Sequence, residues 1–300
     1  MNKVDLITGF LGAGKTTFIR RYLQHLDSLG VSYAVIENEF SAAGVDSAIL
    51  GESVRELTGG CICCGQKVNF HNLILELASQ VDRIIVEPSG IFNADDFFDI
   101  MNSPKVKEVC GYGLMAAVVD PDSLSRLRAA DKRILLAEAG CAGAILISHT
   151  DRLGKAAVDE AASFLRGLIP SLPPVLDAHD VDFNFLMTCT PVLHPHARDT
   201  ADHSTLYQSA ALRPTGAYDE SGVRRLLTRL FSGEAGEVLR VKGTLMGISQ
   251  PLLVNAVPND VQILPAEGEI LLAVIGRNLR RSAIRAILDE ERLPCAKRAD

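Results

Sequence analysis

Through the first half of the chain, short apolar runs rich in β-branched residues alternate with longer stretches in which apolar positions recur every three or four residues. The runs at 3–8, 32–37, 83–87, 114–120 and 142–148 predict buried strands, with a weaker strand-like stretch at 53–58. Between them, 15–29, 68–80, 94–101, 132–139 and 156–168 carry the helical period. Such alternation predicts an α/β fold: a mostly parallel, doubly wound sheet with helices on both faces. Residues 194–218 break the rhythm, being rich in His, Asp, Ser, Thr and Pro with little periodicity, and predict a linker. Beyond it, helices at 222–231 and 281–292 flank strands at 237–248, 252–257 and 269–275. The expected organisation is a first domain over 1–193, a linker over 194–218 and a smaller α+β domain over 219–300.

Composition narrows the function classes. Hydrophobic residues at 47% and charged residues at 22% describe a globular protein with material for a core. With 30 basic and 37 acidic residues the net charge is -7, which gives no general attraction to nucleic acid or an anionic membrane. No apolar run is long enough to cross a bilayer, and Met1-Asn2-Lys3 leads into the first strand without signal-peptide segments. The expected location is the cytoplasm. In that reducing compartment closely spaced cysteines serve metals or redox chemistry more often than structural disulfides, and the chain has seven cysteines.

The run Gly9-Phe10-Leu11-Gly12-Ala13-Gly14-Lys15-Thr16 satisfies G-x-x-x-x-G-K-[ST] between a predicted strand and a predicted helix, the setting a phosphate-binding loop requires. Gly9, Gly12, Ala13, Gly14, Lys15, Thr16 and Thr17 are therefore the expected nucleotide-binding residues. Glycines let backbone N–H groups turn to phosphate oxygens, and the helix presents its positive end to the same anion. Lys15 is expected to bridge the β- and γ-phosphates, and the Thr16 hydroxyl to ligate Mg2+. The strand at 83–87 ends in Glu87-Pro88-Ser89-Gly90, at the sheet edge where ligands of open α/β folds bind. Glu87 there reads as the holder of a magnesium-bound water and Gly90 as an N–H donor to the γ-phosphate; the alternative is a surface turn acid. Ser148-His149-Thr150-Asp151 stands where GTPases of this architecture place Asn-Lys-x-Asp. Asp151 reads as the acceptor for guanine or, alternatively, as a cap of the following helix.

Gly60-Cys61-Ile62-Cys63-Cys64-Gly65 packs three thiols into four positions. Thiolates favour soft or borderline ions such as zinc, and which of Cys61, Cys63 and Cys64 bind stays open, as does the source of a fourth ligand. Two other readings stand beside this: small buried apolar residues, and a redox pair of Cys61 and Cys64. Glu37-Asn38-Glu39-Phe40 offers carboxylates at the same sheet edge. Glu37 there would complete the metal site and couple it to the nucleotide, while Glu39 or Asp46 would serve the nucleotide's water or magnesium. His194, His196 and His203, near Asp199 and Asp202, have no defined ligand spacing and read as linker.

Taken together these residues resemble the CobW-type GTPases, relatives of the GTPases that insert nickel into hydrogenase and urease, over nearly the whole chain. The resemblance rests on the loop at 9–17, Glu37-Asn38-Glu39-Phe40, the C-x-C-C run Cys61-Ile62-Cys63-Cys64 and Glu87-Pro88-Ser89-Gly90. Arg240-Val241-Lys242-Gly243 and Val274-Ile275-Gly276-Arg277 add short motifs of the family's C-terminal domain. It implies a GTP-hydrolysing metallochaperone using GTP and Mg2+, with Lys15, Glu87 and Glu39 as catalytic residues. Zinc or cobalt would be held by the cysteines and Glu37 and delivered to a client metalloprotein. A homodimer is an expected assembly. Ser148-His149 in place of Asn-Lys, and Ser41-Ala42-Ala43-Gly44 in the first switch, depart from the family pattern and predict slower hydrolysis. Two other functions are compatible with the residues: a GTP-dependent activator of a metalloenzyme or corrinoid protein with structural cysteines, and an ATP-dependent small-molecule kinase.

Overall fold

The computed structural model describes residues 1–38, 54–57, 67–88, 94–124, 127–169, 171–191 and 207–293. These fall into two compact units, the first holding the described residues up to 191 and the second 207–293. In the first unit the strands are β1 (Asn2–Thr8), β2 (Tyr33–Asn38), β3 (Val54–Leu57), β4 (Arg83–Glu87), β5 (Cys110–Val119), β6 (Ala144–Ile147) and β7 (Val175–Asp177). Its described helices are α1 (Lys15–Ser28), α2 (Lys67–Leu77), α3 (Ala94–Met101), α4 (Pro104–Val109), α5 (Pro121–Leu124), α6 (Ala129–Cys141), α7 (Thr150–Leu153), α8 (Ala156–Arg166) and α9 (Phe183–Leu186).

The seven strands form one sheet in the order β3-β2-β4-β1-β5-β6-β7, with every pairing parallel. The near-continuous apolar character of β1, β4, β5 and β6 goes with their burial. Alternate residues serve opposite sides: Leu6, Ile36, Ile84 and Val86 pack with Phe70 and Ile74 of α2 and Phe97 of α3. Ile7, Val35 and Ile85 pack with Phe18, Ile19 and Tyr22 of α1. Ala117 and Val119 of β5 meet Leu135 and Ala139 of α6 and Leu165 of α8 in a third cluster. The short β7 was not expected from the sequence, since its three residues carry too little pattern to stand out.

A buried ion pair, Asp5 with Arg83, lies within this sheet. Asp5 is fully buried and accepts bonds from Arg83 Nε (2.5 Å) and Nη2 (2.8 Å), the Leu114 N–H (2.6 Å) and the Tyr22 hydroxyl (3.0 Å). Burial pushes the Asp5 carboxyl up, and the Arg83 guanidinium opposes that shift. The fourfold acceptance is what makes a carboxylate tolerable at this depth.

In the second unit β8 (Gln208–Leu212), β9 (Glu237–Met246), β10 (Pro251–Val257), β11 (Asp260–Pro265) and β12 (Leu271–Arg277) form a sheet in the order β11-β10-β9-β12-β8, with every pairing antiparallel. The helices α10 (Glu220–Phe231) and α11 (Arg281–Glu291) cover one face, where Val223, Leu226 and Leu230 meet Val241, Val254, Val274 and Ile287. Asp219 caps α10 by accepting from the Gly222 N–H at 2.6 Å. Residues 208–212, read from sequence as part of a linker, form the edge strand β8 paired to β12. Only Ala210 and Leu212 of that strand turn into the core, so its pattern is nearly invisible among polar neighbours. No helix among the described residues is long and apolar enough to cross a membrane.

Candidate functional site

The carboxyl ends of β1, β4, β5 and β6 meet the N-terminus of α1, and the loop at 9–14 lies among them. Gly9 has φ 143°, and a Cβ there would stand 2.3 Å from the Val118 carbonyl oxygen of β5. Only glycine lets the chain leave β1 so close to its neighbour. Gly14, at φ 92°, occupies the N-cap of α1 with no side-chain cap of its own. The first N–H groups of α1 are thereby left for an anion, as the motif predicts.

Lys15 is 5% exposed, and its Nζ donates to the Gly9 carbonyl at 2.8 Å, bending the side chain back over the loop. The Thr16 hydroxyl donates to Glu87 Oε1 at 3.0 Å. Two residues 71 positions apart, assigned separately to the magnesium site from sequence, are thus in direct contact. A hydroxyl and a carboxylate are hard oxygen donors, and their position beside Lys15 suits magnesium. Thr17 is exposed one position further along α1, whereas Ala13 is buried.

Glu37 of β2 stands level with Glu87 of β4 in the parallel register, so the two lie side by side at the sheet edge. They are 2% and 8% exposed respectively. Glu37, Glu87 and Thr16 therefore form one line from the proposed metal ligand to the nucleotide loop. Cys61, Cys63, Cys64, Glu39, Asp46, Gly90, His194, His196 and His203 lie outside the described residues. Among the described residues no group of three or more His, Cys, Asp or Glu side chains could hold a metal ion. Cys110 and Cys141 are buried free thiols and Cys189 is a half-buried one, in keeping with their scattered positions.

The expected base pocket follows β6. Ser148 is buried, its N–H and hydroxyl both donating to the Val119 carbonyl at 3.0 and 3.3 Å. His149 takes a left-handed conformation, φ 57°, and its Nε2 would lie 3.9 Å from a Cβ on Gly14. The ring therefore stands against the phosphate loop, at the position a lysine holds in the Asn-Lys-x-Asp pattern. Asp151 is exposed in the first turn of α7, and the Thr150 hydroxyl of that turn donates to Asp177 Oδ1 at the end of β7. The N-cap position of α7 is held by His149 and not by Asp151, which lies two positions inside.

Sequence reasoning missed two acids that border this pocket. Asp120 follows β5, accepts from the Asp122 N–H at 3.0 Å, and has its carboxyl raised by burial, with His149 opposing that shift. Its signal was available: Asp120-Pro121 at a strand's carboxyl end repeats the Glu87-Pro88 arrangement. Asp177, accepting from both the Thr150 hydroxyl and the His179 N–H, had no comparable signal because β7 is so short.

The nucleotide-binding domain of CobW/HypB/UreG matches residues 3–174, and the cobalamin synthesis protein CobW C-terminal domain matches 207–292. The zinc chaperone YjiA of Escherichia coli is 29% identical over 272 residues, covering 83% of this chain and 83% of YjiA. The zinc chaperone YeiR of the same organism is 31% identical over 159 residues, 51% of this chain and 48% of YeiR. The solved structure of zinc-bound YjiA GTPase covers 98% of this chain and 100% of that one at 23% identity, with a TM-score of 0.45. With its phosphate loop, its Thr16–Glu87 contact and matches spanning both units, the chain belongs to the CobW/HypB/UreG family.

Proposed function

We propose that this protein is a GTP-hydrolysing metallochaperone that carries zinc or cobalt and delivers it to a client metalloprotein under nucleotide control. The observation that carries the proposal is the line Thr16–Glu87–Glu37, which joins the nucleotide loop to a buried carboxylate one strand away. The zinc chaperones among its relatives support zinc as cargo. The ligands proposed for it are Glu37 with Cys61, Cys63 and Cys64.

The chain's own residues divide the work. Backbone N–H groups at 12–16 and the Lys15 ammonium bind the β- and γ-phosphates, Lys15 exchanging the Gly9 carbonyl for phosphate oxygens. Magnesium, when bound, would supply charge neutralisation for those phosphates. Thr16, as a ligand, and Glu87, through a water, would hold that ion, giving up their mutual bond. Gly90 and Glu39 are assigned to the γ-phosphate and the attacking water. Asp151 is assigned to guanine, with His149 standing over the loop. When the phosphates release Thr16 and Glu87, the neighbouring Glu37 is the first metal ligand affected.

The test is zinc affinity measured with magnesium and a non-hydrolysable GTP analogue, and again with GDP. Tighter binding in the triphosphate state is expected, and equal affinities overturn nucleotide gating. Competition of GTP against ATP in the same assay tests the base assignment. ATP binding as tightly as GTP removes Asp151 from its role.

A further inference from the structure

The sheet of the second unit ends in β8, a strand hydrogen-bonded on one side to β12. On its other side no strand among the described residues pairs with it, so the N–H and C=O groups of alternate residues face outward without a ladder. Beside this edge, between the end of β8 and α11, lies a cavity of about 430 Å³. Its floor is apolar. Leu212, Tyr218 and Leu288 there are buried, and the Tyr218 hydroxyl is committed to the Leu288 carbonyl at 2.9 Å.

The surround of the cavity is basic. Arg281, Arg285 and Asp289 recur every four residues and so share one face of α11. Arg281 Nη2 donates to the Ala211 carbonyl of β8 at 3.0 Å, which places that face along the strand. Arg213 at the rim holds Glu269 Oε1 through two bonds, at 3.0 and 2.7 Å, and Arg292 holds Asp289 at 3.5 Å. Arg285 lines the cavity, is exposed, and makes no hydrogen bond or ion pair among the described residues. Arginines therefore outnumber carboxylates along this edge, Arg213, Arg281, Arg285 and Arg292 against Glu269 and Asp289, in a chain whose net charge is -7.

We propose that the open edge of β8, with the cavity between it and α11, is a docking site for an extended segment of a partner protein, added as a strand and selected by an acidic side chain that meets Arg285. In strand addition the main chain supplies affinity, and pockets for alternate side chains supply specificity. Ala210 and Leu212 mark the side of β8 that faces the helices. A segment laid along β8 sends every second side chain to that side. An apolar side chain there covers Leu212, Tyr218 and Leu288, and an acidic one two positions along takes the guanidinium of Arg285 in a charge-assisted bond. A second copy of this chain fits poorly, because two β8 edges brought together set arginine against arginine, and like charges opposed across a strand pair destabilise it. The charges that keep β8 from pairing with itself thus favour an acidic strand.

The experiment is amide hydrogen exchange of the full chain with the acetylated, amidated peptide Thr-Leu-Thr-Glu-Thr-Leu-Thr-Glu, and with its counterpart carrying Lys for each Glu. The Glu peptide is expected to slow exchange in β8, while the amides of β11 at the opposite edge of the sheet stay as they were. Arg285→Ala should weaken that peptide about fivefold, the effect of losing one exposed ion pair. Arg285→Glu should bind the Lys peptide in preference to the Glu peptide. GTP hydrolysis by the chain alone should be the same in both variants, since Arg285 has no part in the nucleotide site. Equal slowing by the two peptides on the wild type removes the charge selection and overturns the proposal. So does the absence of slowing in β8 with either peptide. Slowing that grows with protein concentration before any peptide is added hands the edge to a second copy, and displacement of the Glu peptide by an equal concentration of N-acetylglutamate amide hands the cavity to a free small carboxylate; each overturns the proposal. Should Arg285→Glu fail to fold, the difference between the two peptides on the wild type decides.

Discussion

Lys15 Nζ holds the carbonyl of its own loop, a neutral acceptor that, on the role proposed for Lys15, phosphate oxygens would replace with charge-assisted bonds. Lys15→Ala removes a preorganised donor from the place where charge develops. Phosphate release at saturating GTP is expected to slow by a factor on the order of 10²–10³. Thr16→Val keeps the volume and deletes the hydroxyl that meets Glu87, so the magnesium concentration for half-maximal rate should rise while circular dichroism stays unchanged. These residues were legible because their spacing encodes a backbone geometry that few other sequences serve. Asp5 was not legible, because its requirement is met by Arg83, 78 residues away, and by Tyr22 and Leu114. Arg83→Met leaves that carboxylate uncompensated and should cost about 3–5 kcal/mol in urea unfolding. Adding Asp5→Leu to Arg83→Met should recover much of the loss, and a double variant no better than the single one would contradict an electrostatic origin.

The strands β1, β4, β5 and β6 were legible as elements because each is largely buried and reads as an apolar run. Helix α1 emerges as Lys15–Ser28 against an expected 15–29, and α3 as Ala94–Met101 as expected. Missed were the short helices α4, α5, α7 and α9 and, among the strands, those whose partners supply most of their order: β7, β11 and β8, each short or half polar in sequence. The same dependence on neighbours appears in β9, where Gly243 sits between β10 and β12 at φ 140°. A Cβ there would lie 2.0 Å from the Leu271 carbonyl oxygen, a backbone atom with no freedom to move aside. Gly243→Val is therefore expected to cost at least ~2 kcal/mol through strain and collision together. Hydrogen exchange at the β9 and β12 amides measures it. Protection equal to the wild type would show that the sheet yields more easily than its geometry implies.

At the scale of the molecule, two separate cores mean that a ligand acts first on the unit that holds it. The first unit buries its strands between α1, α2, α3, α6 and α8, and all the residues assigned to the phosphates belong to it. The net charge of -7 gives no long-range pull on an anionic nucleotide, so binding depends on the local field of Lys15 and the α1 N-terminus. A ligand that binds only the folded form at a hundred times its Kd adds ~2.7 kcal/mol of stability. Magnesium with a non-hydrolysable GTP analogue should therefore raise the unfolding midpoint of the first unit. Amide exchange in β1, in the loop at 9–14 and in the first turn of α1 should slow most, because the Gly9 and Lys15 contacts are replaced by stronger ones. The ATP analogue at the same concentration should add less if Asp151 and His149 read the base, since both analogues share every phosphate contact and differ only at that pocket. Equal protection by the two analogues would mean that the phosphates alone are recognised, and that Ser148-His149-Thr150-Asp151 has lost base discrimination along with its Asn and Lys.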